Sequence, residues 1–107
     1  MSKALHDLCW HDGNLVGIRL DTGTQGAAVA HISVLLYAGA LTAIRHACQI
    51  ECQHVLRFES TLDVAELRNN AFAGNISNGY LKGNTLWVYL ADGVLQVEAK
   101  KFRVTKC

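Results

Sequence analysis

The sequence predicts an all-β domain, mainly antiparallel: a small sandwich or barrel of six to eight strands with one short helix. Three observations point there. Apolar and polar residues alternate with period two along most of the chain, the pattern of strands with one buried face. The breaks between these runs are made of Gly, Asn and Asp, and the chain contains no proline; these residues tolerate positive φ and so make tight turns. An Asp-Gly pair, Asp92-Gly93, stands between two alternating runs near the C-terminal end, a strong hairpin signal. Of the 107 residues, 50% are hydrophobic and 18% charged, so the chain reads as a single β-rich domain, 1–107, too apolar for disorder.

Taken in order, a break at His11-Asp12-Gly13-Asn14 precedes Val16, Ile18 and Leu20, which alternate with Gly17, Arg19 and Asp21. A second break, Thr22-Gly23-Thr24-Gln25-Gly26, leads to Ile32, Val34 and Leu36, alternating with His31, Ser33 and Leu35. Ala38-Gly39-Ala40 closes that run. Residues 44–58 put Ile44, His46, Cys48, Ile50, Cys52, His54, Leu56 and Phe58 on one parity, against Arg45, Gln49, Glu51, Gln53 and Arg57. A helix would gather Ile44, Cys48, Cys52, Val55 and Leu56 but leave Ile50 on the polar side. The strand reading is preferred, with the helix as its alternative. Such a run exceeds the usual strand length of about 3–10 residues, so a bent or split strand is expected.

Asp63-Val64-Ala65-Glu66 has the spacing of a capping box and predicts a short helix over Val64–Asn69. Residues 74–84, rich in Gly and Asn, read as a loop of two tight connections. Thr85–Leu90 and residues 94–99 form the predicted hairpin, closed by a type I′ turn at Asp92-Gly93. In its second strand Leu95, Val97 and Ala99 point one way, while Phe102 and Val104 have the opposite parity. A bulge at Lys100-Lys101 would return them to one side and bend the strand.

The net charge is +1 and no more than two basic residues are adjacent, so nucleic-acid binding by phosphate neutralisation is not expected. The apolar run 27–44 is interrupted by His31, Ser33, Gly39 and Thr42 and is too polar for a membrane span. The opening residues lack the apolar core of a signal peptide. A cytoplasmic protein is expected, with Cys9, Cys48, Cys52 and Cys107 as reduced thiols.

Residues 46–54 place His46, Cys48, Cys52 and His54 in a near-palindrome of soft ligands, to which Cys9 or His11 could add. On a strand Cys48 and Cys52 sit about 13 Å apart and cannot share one ion; on a helix they could. Core packing of the cysteines is the preferred reading and no cofactor is expected, zinc being the alternative. His6-Asp7 and His11-Asp12 could each hold a base beside a carboxylate. No G-x-S-x-G elbow is present, and Cys48 or Cys52 on the inward parity would be inert as a nucleophile. Asn75, Asn78, Tyr80 and Lys82 could present donors to a ligand or partner. Trp87 and Tyr89, on one parity, line either a covered second face or an exposed patch.

Leu5-His6-Asp7, Val55-Leu56-Arg57-Phe58 and the stretch from Tyr89 through the Asp92-Gly93 turn to Ala99 resemble a set of small bacterial β-rich proteins. Some of these are grouped with immunity proteins of polymorphic toxin systems. The resemblance implies a small antiparallel β domain without assigned catalytic residues that acts by binding another protein, and it carries over His6 and Asp7 alone among polar features.

The reading that follows is a non-catalytic domain, immunity-like, that binds a protein partner or a second copy of itself through an exposed sheet edge or aromatic patch. A metal- or small-ligand-binding domain built on residues 46–54 is the alternative. A small enzyme with a His/Asp acid-base pair is the second.

Overall fold

A computed structural model describes residues 5–23, 26–38 and 44–107. The breaks expected at Thr24-Gln25 and Gly39-Ala40 lie outside the described residues. A 3-10 turn, Leu5–Asp7, leads into β1 (Cys9–Asp21), β2 (Val29–Tyr37) and β3 (Arg45–Ser60). The helix α1 (Val64–Asn69) and a second 3-10 turn (Ala71–Gly74) follow, then β4 (Ile76–Lys82), β5 (Thr85–Leu90) and β6 (Gly93–Lys106). The fold is all-β: one six-stranded antiparallel sheet in the order β1-β2-β3-β6-β5-β4. Two three-stranded meanders are joined along the seam between β3 and β6. The sheet curls into a half-barrel, and its two edge strands meet at one end, where Asn14 bridges Asn75.

Alternation builds the core. Ala30, Ile32, Val34 and Leu36 of β2 lie inside with Cys48, Ile50 and Cys52 of β3, and with Leu86 and Val88 of β5 and Leu95, Val97 and Ala99 of β6. Registered rungs stack them: Ile32, Ile50 and Val104 share one, and Phe58, Val97 and Leu86 another. Each fully buried aliphatic side chain stabilises the fold by about 1.5–3 kcal/mol. Trp10, Leu5 and Leu8 are buried in the same core.

The strand reading of residues 44–58 holds, and so does the bend. Inward residues run Cys48, Ile50, Cys52 and then Val55 and Phe58, so β3 changes face at His54, whose φ is 55°. Its seam partner β6 changes face at the same level, between Ala99 and Phe102, as the parity of Lys100-Lys101 predicts. The inserted residue is placed differently from expectation. The register slips between Val55 and Arg57, so Leu56 of β3 is the extra residue there. Ile44, His46, His54 and Leu56 are exposed rather than inward.

The helix is present as predicted, with Asp63 capping it through a 3.1 Å bond from the Glu66 amide. Two local expectations are corrected. Residues 76–82 are a strand, not a loop, because Ile76 is buried in the core and Gly79 packs under Trp10; tertiary contact overrides the weak strand preference of Asn and Gly. The actual turn there is Gly83-Asn84, with Gly83 at φ 61°. The last hairpin turns at Ala91-Asp92, neither of which has positive φ, so it is not type I′. Gly93 instead opens β6 at φ 129°, and the turn is tied down by a 2.8 Å bond from the Ala91 amide to the Asn75 carbonyl.

Candidate functional site

The suggested metal ligands do not converge. Lys106 pairs with Gln49, which brings Cys107 beside Cys48, and the two form a disulfide. The expectation of reduced thiols is therefore corrected for this pair. Cys52 is wholly buried in the rung between Ala30 and Phe102. Burial, with the Glu51 charge adding to it, pushes its thiol up to about 12, so the free thiol stays protonated and is unreactive toward solvent. His46 lies opposite Leu36 and His54 at the bend, both exposed, while Cys9 lies opposite Tyr37. Among the described residues no three of His, Cys, Asp and Glu form a metal-binding group.

Of the two His-Asp pairs, His11 and Asp12 both lie among the described residues. The His11 Nδ1–H donates to the Ser77 carbonyl at 3.1 Å, and Nε2 lies 3.5 Å from an Asp12 oxygen, in the open. These residues sit where β1 leaves β2 to lean on β4, with Asp12 at φ 64°. The arrangement pins one strand to another. Asp7 ends the first 3-10 turn, and the His6 side chain lies outside the described residues.

Asn75 precedes β4, and Asn78, Tyr80 and Lys82 spread along it, rather than converging on one point. Asn75 makes the edge bridge, the Asn78 Oδ1 accepts from the Gly79 amide, and Lys82 pairs with Thr85. Tyr80 joins Trp87 and Tyr89 in an aromatic row on the outer face: Trp87 and Tyr89 rings lie 6.1 Å apart and 7° from parallel, and the Tyr80 and Tyr89 hydroxyls are 3.3 Å apart. That contact pushes the Tyr89 phenol upward.

Two features were not legible from single residues. The first is the open edge. Beyond the Asn14 bridge an extra residue, Val16, is inserted into β1, and from there to Asp21 the strand pairs with β2 alone. Val16 is 62% and Leu20 42% exposed. Beside this edge Leu15, Ile18, Leu62, Val64 and Leu67 line a groove of about 390 Å³, with α1 as its far wall. The second is a polar rung across the outer face, in which Arg19, His31, Glu51 and Arg103 are successive partners on four strands. Glu51 accepts from Arg103 at 2.9 Å, from His31 Nε2–H at 3.3 Å and from the Gln53 amide. These donors, Gln53 foremost, hold its carboxyl below the usual carboxylate range against the opposing effect of burial. An outward alternation shows that such residues face solvent, but only register shows that they share a rung.

Comparisons of the chain with protein-family models, with curated proteins and with solved structures return no match. No helix among the described residues is long and apolar enough to cross a membrane.

Proposed function

We propose that this chain is a non-catalytic protein-binding domain that takes an extended segment of a partner protein onto the free edge of β1. The observation that carries the reading is the pairing of β1 beyond Val16 on one side only, next to an apolar groove. An edge strand presents a row of unpaired N–H and C=O groups, and natural proteins usually blunt it with Lys or Pro or by covering it. Residues 16–21 carry the bulge at Val16 and the charges of Arg19 and Asp21 but neither Lys nor Pro, and α1 flanks the edge without filling the groove. Strand addition supplies main-chain hydrogen bonds, and alternate side chains of the added strand would enter the groove for specificity.

The resemblance to small bacterial β-rich proteins, some of them grouped with immunity proteins, supports an immunity-like form of this reading, in which the partner is held in an inert complex in a bacterial cell. Cytoplasmic location is part of that proposal. The Cys48–Cys107 bond argues instead for an oxidising compartment, and a count of free thiols in the natural chain separates the two.

The test uses exposed positions, so that folding is not at stake. Val16→Lys and Leu20→Lys change stability by no more than about 0.5 kcal/mol but place charge on the edge. Quantitative affinity capture is expected to show a stoichiometric partner on the native chain and its loss on both variants. Retention of the partner by both would refute the assignment of the edge.

A further inference from the structure

We propose that the cavity above Gly17, on the outer face of β1, β2 and β3, binds a small molecule through an oxyanion group, a carboxylate or a phosphate. This site shares Gly17 and Ile18 with the groove beside α1 but uses the polar side chains of the outer face, and it does not depend on strand addition.

Gly17 is the starting point. Glycine inside a strand weakens it, and where it occurs it marks a bulge, a bend or a place where something approaches closely. The other described strand glycines have evident reasons. At Gly13 and Gly79 a Cβ would collide with Leu36 and with Trp10, and Gly93 has φ 129°. Gly17 flanks the bulge at Val16, but its φ is not positive and nothing lies within 4 Å of a Cβ built there, so neither strain nor crowding requires glycine. Above it lies an open cavity of about 300 Å³, at the small end of the range for ligand sites.

The lining is rich in donors. Arg19, His31, Ser33 and Gln49 surround Gly17, with Ser33 paired directly to Gly17 and to Gln49. Arg19 has no ion-pair partner among the described residues. Asp21, two positions along the same strand, engages the Gly23 amide at 3.0 Å. Glu51, on the rung of Arg19, is already satisfied by Arg103, His31 and Gln53. The row therefore runs cation, imidazole, carboxylate, cation, and the terminal cation beside the cavity is left uncompensated.

The rest of the row holds the lining in place. An ionised carboxylate can only accept, so His31 must carry its proton on Nε2 and its ring is oriented by Glu51. The Thr105 hydroxyl shares its one proton between the Gln49 backbone carbonyl and Oε1, each at 3.3 Å, which leaves the Gln49 amide N–H groups as donors. A guanidinium, a hydroxyl and an amide beside a glycine floor match the acceptor-rich surface of an oxyanion, and guanidinium bonds to such groups are the stronger, charge-assisted kind.

The experiment is an amide-resolved NMR titration of the full chain with inorganic phosphate, with citrate and with glycerol, at constant ionic strength. Saturable shifts at Gly17, Arg19, His31 and Ser33 are expected with phosphate or citrate, at a Kd no weaker than about 1–10 mM, and none with glycerol. The tighter of the two anions identifies phosphate or carboxylate as the recognised group. Arg19→Gln is expected to weaken binding about tenfold, and Gly17→Val to abolish it while keeping the native spectrum elsewhere. Shifts that do not saturate, that glycerol reproduces, or that both variants leave unchanged would overturn the proposal.

Discussion

Gly79 of β4 lies flat beneath the indole of Trp10 of β1, so close that a Cβ at residue 79 would overlap the ring. This contact, with the Asn14–Asn75 bridge and the bond from His11 to the Ser77 carbonyl, closes one end of the half-barrel. Gly79→Ala is therefore expected to destabilise by about 1–3 kcal/mol through overpacking, and Trp10→Ala by about 3–5 kcal/mol. Chemical denaturation of the two single variants and the double variant checks this. The double variant is expected to lose less than the sum, because the added methyl group no longer meets an indole.

Two further glycines give opposite expectations. Gly93 stands at φ 129° with the Thr61 carbonyl 3.2 Å from a built Cβ, so Gly93→Ala lowers the melting temperature. Gly17→Ala meets nothing and restricts the unfolded chain, so it raises stability by about 0.4–1 kcal/mol. Thermal unfolding of the pair reads the sign directly.

The Cys48–Cys107 bond closes a loop with a sequence separation of 59, and the loop-entropy relation puts its contribution at about 4 kcal/mol. Cys107→Ser should lower the denaturation midpoint accordingly. Thiol titration of the natural chain should find two free thiols after unfolding without reductant and four with it. In the native state Cys52 should not react, since its thiol is buried and protonated.

Glu51 has a depressed folded-state value, so its bonds to Gln53, Arg103 and His31 contribute stability above its unfolded value near 4.5. That contribution is lost as pH falls through the lower folded value. Urea midpoints measured from pH 6 down to pH 2, an acid range set by that depressed value, should decline more steeply for the natural chain than for Glu51→Gln. Parallel curves would remove Glu51 from the acid limb.

Local signals were legible where one residue type has one physical meaning. Asp63 and Glu66 announced the cap of α1, and the alternation of Ile32, Val34 and Leu36 announced a buried face that the structure shows. The parity change around Lys100-Lys101 located a bend, although the inserted residue proved to be Leu56 on the neighbouring strand. What stayed hidden depends on register. Nothing local to Cys107 says that it ends beside Cys48, and nothing local to Arg19 says that His31, Glu51 and Arg103 share its rung. β4 was hidden for a different reason. Its Asn78-Gly79 looks like a turn until Trp10 supplies the contact that makes glycine the residue that fits.

The edge of β1 carries the functional account, and site-specific photo-crosslinking addresses it most directly. A photoreactive phenylalanine analogue is placed at Val16 in one chain and at Tyr80, in the aromatic row, in another. Both positions are exposed, at 62% and 38%. In cell extract the account predicts a discrete adduct from position 16, with the crosslinked partner peptide extended beside β1, and none from position 80. An adduct from position 80 alone would contradict it and move the interface to the aromatic face.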